Sequence, residues 1–122
     1  MEFCRTGSST ALELIYGETD RNCLQAELDT YWIQFGGGDP VDWCRRLSGR
    51  LVALHMKDYV VTRDRQVAFA EVGSGNLNWA AIVSAADQSG CRWYIPEQDE
   101  TAGDPFDALK KSYDFICGNL LT

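Results

Sequence analysis

Apolar positions in this chain gather into short β-rich runs, each followed by a stretch with helical spacing. That alternation predicts parallel βαβ units and an α/β fold of about four parallel strands with flanking helices. A first strand is expected over residues 23–32, closing on Glu27-Leu28-Asp29-Thr30-Tyr31-Trp32 ahead of Gly36-Gly37-Gly38. Asp39 is a good helix N-cap and Pro40 fits the first helical position. The helix they open puts Val41, Cys44 and Leu47 on one side and stops near Gly49. The second strand, over 51–58, is apolar at first and turns polar only at its end, the mark of a strand buried on both faces. A charged loop over 62–66 leads to a third strand at 67–72, with no crossover helix between strands two and three. Asn78 caps the next helix, where Trp79, Ile82, Val83 and Ala86 keep the i, i+3, i+4, i+7 spacing and Gly90 ends it. The fourth strand, over 91–96, runs into Glu97-Gln98-Asp99. Asp104-Pro105 then repeats the cap-plus-proline start, and Phe106, Leu109, Tyr113, Ile116 and Leu120 line one face of the last helix. Ahead of all these, residues 9–16 read as a helix without a strand before it.

Composition narrows the function classes. The chain has 122 residues, 45% hydrophobic and 24% charged, so one domain over 1–122 is expected. A net charge of −7 repels phosphate backbones, and the eleven Lys and Arg are scattered rather than gathered in a stripe. Nucleic acid is therefore not an expected partner. No charged leader followed by an apolar run and no membrane-length apolar window occurs, so a cytoplasmic protein is expected. The five cysteines are far apart and form no C-x-x-C pair, which reads as reduced, mostly buried thiols.

Candidate chemistry collects where the strands end, the place at which parallel α/β architectures build their sites. Those ends offer Glu27 and Asp29, then His55, Lys57 and Asp58, then Glu71, and finally Glu97 and Asp99. An imidazole among carboxylates suits Mn²⁺, Co²⁺ or Zn²⁺. A lone strand histidine is more often a hydrogen-bonded core residue than a ligand, but His55 stands at the polar tip of an apolar strand. Gly36-Gly37-Gly38 and Gly73-Ser74-Gly75 match no phosphate-binding fingerprint and are read as turns.

At these residues the chain resembles the sugar phosphate isomerase/epimerase family, the xylose-isomerase-like barrels that include inosose dehydratases and ketose 3-epimerases. The matching stretches are Glu27-Leu28-Asp29-Thr30-Tyr31-Trp32, Gly37-Gly38-Asp39-Pro40, Gly49-Arg50 through Leu54-His55-Met56-Lys57-Asp58, Glu71-Val72-Gly73-Ser74-Gly75-Asn76-Leu77-Asn78-Trp79 and Trp93-Tyr94-Ile95-Pro96-Glu97-Gln98-Asp99. The resemblance implies the C-terminal half of a (β/α)8 TIM barrel, strands five to eight, with Met1-Glu2-Phe3 as the tail of strand four. It implies metal ligation by Asp29, His55 and Glu97, with Mn²⁺ or Co²⁺ favoured over Zn²⁺ or Mg²⁺. It further implies proton transfer alpha to a carbonyl through an enediolate. In that chemistry Glu97 moves the proton, Lys57 donates to an oxyanion, and Trp32 and Glu2 contact a sugar or cyclitol. Pro96 departs from the family pattern, standing where an aliphatic residue usually precedes the ligand Glu, and it removes a ladder N–H. Two other readings stand beside this one. A half-barrel that is a non-catalytic subunit would assemble with itself or with a complementary N-terminal half, because open strand edges favour association. Abasic-site nuclease chemistry is disfavoured by the charge and the single histidine.

Overall fold

The computed structural model describes residues 2–121. Two short strands, β1 (Arg5–Thr6) and β2 (Ser9–Thr10), form an antiparallel pair ahead of helix α1 (Ala11–Glu18). Thr10 and Glu13 cap that helix reciprocally, the Thr10 hydroxyl accepting from the Glu13 N–H and the Glu13 carboxylate from the Thr10 N–H. The strand tail expected at Met1-Glu2-Phe3 is instead a turn at Glu2 and Phe3, with Met1 outside the described residues.

Strand β3 (Ala26–Asp29) comes next, shorter than the sequence suggests because Thr30 already begins helix α2 (Thr30–Phe35). Asp29 is the reason: its Oδ1 accepts from the Trp32 N–H at 3.0 Å and caps that helix. Helix α3 (Pro40–Arg46) opens with Asp39 as N-cap and Pro40 in its first turn, as expected. Strand β4 (Leu51–Met56) lies between β3 and a later strand, β7 (Trp93–Pro96), and both pairings are parallel. Asp29 stands in register with His55, and His55 with Ile95, so the C-terminal ends of three strands lie side by side.

The α/β class stands, but the strand expected at 67–72 is not in the parallel sheet. Residues Asp58–Val61 form β5 and Val67–Ala70 form β6, an antiparallel hairpin that rises from the end of β4. A parallel partner needs a crossover of a dozen or more residues, and the intervening segment 62–66 is too short to supply one. The missing crossover helix is thereby explained. Helix α4 (Trp79–Gln88) follows, capped by Asn78 and stopped at Gly90, whose φ of 90° favours glycine.

The core lies between the sheet and the helices, where Leu28, Leu54 and Met56 meet Ile33, Trp43, Trp79 and Ile82. The last helix, α5 (Pro105–Asn119), is turned away from the expected orientation. Phe106, Leu109 and Tyr113 face solvent, whereas Ile116 and Leu120 of the same expected face pack against the core, and Ala108 and Ser112 are buried. Small residues are needed there because the Ser112 hydroxyl accepts the Val72 N–H at 3.0 Å. Two cysteines, Cys44 and Cys91, are buried, but Cys4, Cys23 and Cys117 are exposed, contrary to the expected burial of most. Burial pushes the Cys44 thiol up to about 12, which keeps it protonated and unreactive.

Candidate metal centre

Period-two geometry places Glu27 and Asp29 on one face of β3, and the register carries that face across to His55 on β4. Glu97 follows directly on β7, its N–H donating to Met56 O at 3.2 Å. Pro96 is tolerated because β7 is an edge strand among the described residues, and its register with Met56 is kept. Three elements therefore deliver Asp29, His55 and Glu97 to one point, and one potential ligand atom from each lies within 4.8 Å of the others.

The imidazole is held from both sides. His55 Nε2 lies 2.7 Å from Glu27 Oε1, and Nδ1 lies 2.8 Å from Glu97 Oε2 and 3.9 Å from Asp29 Oδ2. Glu27 Oε1 lies beside Nε2, and Nδ1 is the nitrogen on the side of Asp29 and Glu97, the side on which a cation would sit. Sequence reasoning counted Glu27 only among the strand-end carboxylates. Its spacing of two from Asp29 was the available signal for this supporting role.

Lys57 is buried to 3% exposure at the same point, its Nζ 2.9 Å from Asp29 Oδ2, 3.2 Å from Glu97 Oε2 and 2.9 Å from Asp99 Oδ1. Burial works to lower its pKa, but hydrogen bonds to Asp99 and Asp29 and the Asp29 charge outweigh it, so the ammonium is held above the ordinary lysine range. The lysine backbone is pinned by buried Thr30, whose Oγ1 lies 2.7 Å from Lys57 O and accepts from Lys57 N at 3.0 Å.

The donor set fits a divalent ion. Two carboxylates and one imidazole nitrogen match the ligand chemistry of Mn²⁺, Co²⁺ or Zn²⁺. Glu97 Oε2 is buried and accepts no well-formed hydrogen bond, although cationic groups lie close to it. A buried carboxylate oxygen in that condition is suited to a cation.

The remaining expected residues divide by location. Trp32 and Glu2 line a hollow of about 480 Å³ together with Glu27 and Asp29, beside the outer edge of β3. Glu71 does not join the cluster and instead pairs with Lys111 on α5 at 3.0 Å. Asp58 is fully buried and turned the other way, into the loop before α4. Aromatic rings wall the region: Tyr31 stacks on Phe69 of the hairpin with centroids 4.0 Å apart, and Trp32 meets Phe69 edge-on.

No family model and no curated protein matches this sequence. Solved structures do. A sugar phosphate isomerase/epimerase from Parabacteroides distasonis superposes with a TM-score of 0.74 at 27% identity, over 93% of this chain and 37% of its own. A second crystal structure described in the same words, from the same organism, gives a TM-score of 0.73 at 24% identity over 95% of this chain and 38% of its own. The chain has the fold of these sugar phosphate isomerase/epimerases. It is an α/β unit resembling part of a TIM barrel, and it spans little more than a third of the length of those neighbours. Among the described residues no helix is long and apolar enough to cross a membrane.

Proposed function

We propose that this chain is the metal-binding C-terminal part of a cytoplasmic sugar isomerase/epimerase-like or dehydratase-like barrel. The observation that carries the reading is the meeting of Asp29, His55 and Glu97 at the ends of three adjacent parallel strands, within 4.8 Å. Asp29 Oδ2, His55 Nδ1 and Glu97 Oε2 would hold a divalent ion, with Mn²⁺ or Co²⁺ our first choice. Such an ion supplies Lewis-acid polarisation of a sugar carbonyl. The chain's own groups supply the rest. In this reading Glu97 moves the proton alpha to that carbonyl through an enediolate, and Lys57 donates to the developing oxyanion. Trp32 gives a ring face for the apolar side of a sugar or cyclitol, and Glu2, Glu27 and Asp29 in the same hollow offer acceptors to hydroxyls.

A second reading rests on a separate observation. Among the described residues the outer edges of β3 and β7 pair with no strand, and Trp93 and Ile95 of β7 are exposed. Open parallel edges favour association, so a non-catalytic subunit assembling with itself or with an N-terminal half follows from the same fold. Mn²⁺ and Co²⁺ titration beside a His55→Ala control, with mass from light scattering, separates the readings. Stoichiometric binding lost in His55→Ala upholds the metal centre. A folded, self-associated protein that binds neither ion favours the subunit.

A further inference from the structure

Lys57 occupies an unusual position for a cation. It is almost fully buried, and of the three carboxylates around it two are the candidate metal ligands Asp29 and Glu97. The oxygens are the same ones: Asp29 Oδ2 and Glu97 Oε2 face both the ammonium and His55 Nδ1. A divalent ion held by the three ligands must therefore share oxygens with a positive charge already present. The third partner is different in kind, since Asp99 meets Lys57 but does not belong to the group of three ligand atoms. Asp99 holds the ammonium and the Thr30 hydroxyl holds the lysine backbone, so two ties on Lys57 do not depend on the ligand oxygens.

We propose that Lys57 is a resident counter-cation that sets the divalent-ion affinity of the Asp29–His55–Glu97 centre. It keeps the two carboxylates in place when no ion is bound and opposes the ion that displaces it from them. Like charges sharing oxygens beside a buried ammonium repel more strongly than they would in water, and salt screens them less. The centre is consequently preformed but weaker than its ligand set alone would make it. This role is distinct from donation to an oxyanion, and it rests on the metal-centre reading above.

The test is calorimetric titration of Mn²⁺ into the whole chain and into Lys57→Met, Lys57→Gln, Lys57→Arg and His55→Ala, with folding checked by circular dichroism. Neutral Lys57→Met and Lys57→Gln are expected to bind at least tenfold more tightly, and Lys57→Arg within about threefold of wild type. Lys57→Gln retains a hydrogen-bonding head and covers the case in which the bare methionine does not fold. Unchanged or weaker binding by a folded neutral variant, beside His55-dependent binding by the wild type, overturns this proposal and leaves the metal centre standing. No His55-dependent binding by the wild type or the neutral variants overturns both.

Discussion

Lys57 and Asp58 are neighbours in the chain, both buried and charged, and they belong to opposite kinds of polar network. Asp58 accepts from the N–H groups of Tyr59, Gly73, Gly75 and Leu77 and from Trp79 Nε1 at 2.7 Å, a shell of fixed dipoles with no cation in it. One residue earlier, Lys57 draws together Asp29, Glu97 and Asp99 by charge, and Glu97 Oε2 lacks a well-formed hydrogen bond. The first network is complete and ties the hairpin base to the start of α4. The second has an acceptor to spare and opens onto the strand ends. A carboxylate satisfied by backbone N–H groups has a structural task, whereas carboxylates sharing an ammonium can take up a second cation beside it.

Asp58→Ala carries the largest expected effect. It leaves the buried Trp79 Nε1–H and four part-buried backbone N–H groups without their acceptor, and the expected loss is about 3 kcal/mol, read as a fall in urea midpoint at unchanged slope. A loss under about 1 kcal/mol would place Asp58 among groups that water can replace. The cluster around Lys57 should behave in the opposite manner, gaining stability from a ligand. Saturation with Mn²⁺ at a hundred times its Kd is expected to stabilise the wild type by about 2.7 kcal/mol and His55→Ala by almost nothing. Equal thermal shifts in the two proteins would mean that the ion acts elsewhere.

Gly75 sharpens the Asp58 side of the comparison. A Cβ at that position would lie 2.3 Å from Asp58 Oδ1 and 2.6 Å from Tyr59 O, so Gly75→Ala must push the loop off the carboxylate. The expected cost is roughly 2 kcal/mol in a chemical-denaturation curve, with Mn²⁺ affinity unchanged. A change in affinity as large as that in stability would show that the two networks are coupled through the chain.

How far these networks were legible in the sequence differs for the same physical reason. Asp29, His55 and Glu97 each stand at the end of a β-rich run, and strand ends are where parallel sheets build sites, so local pattern was enough to single them out. The caps at Asp39, Asn78 and Asp104 were legible too, because a cap bonds to N–H groups only two or three residues away. Asp58 was grouped with the site because its partners at 73–79 lie 15 to 21 residues along the chain, beyond the reach of local pattern. The five-residue segment 62–66 excludes a parallel crossover on length alone, so the antiparallel hairpin was within reach of the sequence. The orientation of α5 was not. Its sequence offers one apolar stripe through Phe106, Leu109, Tyr113, Ile116 and Leu120, of which only the last two reach the core, and a smaller face through Ala108 and Ser112 that takes the Val72 N–H.

A third carboxylate, Glu13, calibrates both networks from the surface. Its pKa is held below the ordinary value first by the Thr10 N–H and then by Arg46, in a partly exposed setting at the surface. The folded value is depressed, so the stabilisation is present above the unfolded carboxyl pKa and is lost as pH falls through the folded one. Glu13→Gln should therefore lower stability slightly at neutral pH and converge with the wild type in acid, as followed by thermal midpoints across pH 2–7. Thr10→Ala, which removes the other half of the cap, is expected to cost about 1 kcal/mol. Solvation makes this the smallest of the effects. If Glu13→Gln instead matched Asp58→Ala, burial would not be what separates structural carboxylates from surface ones in this fold.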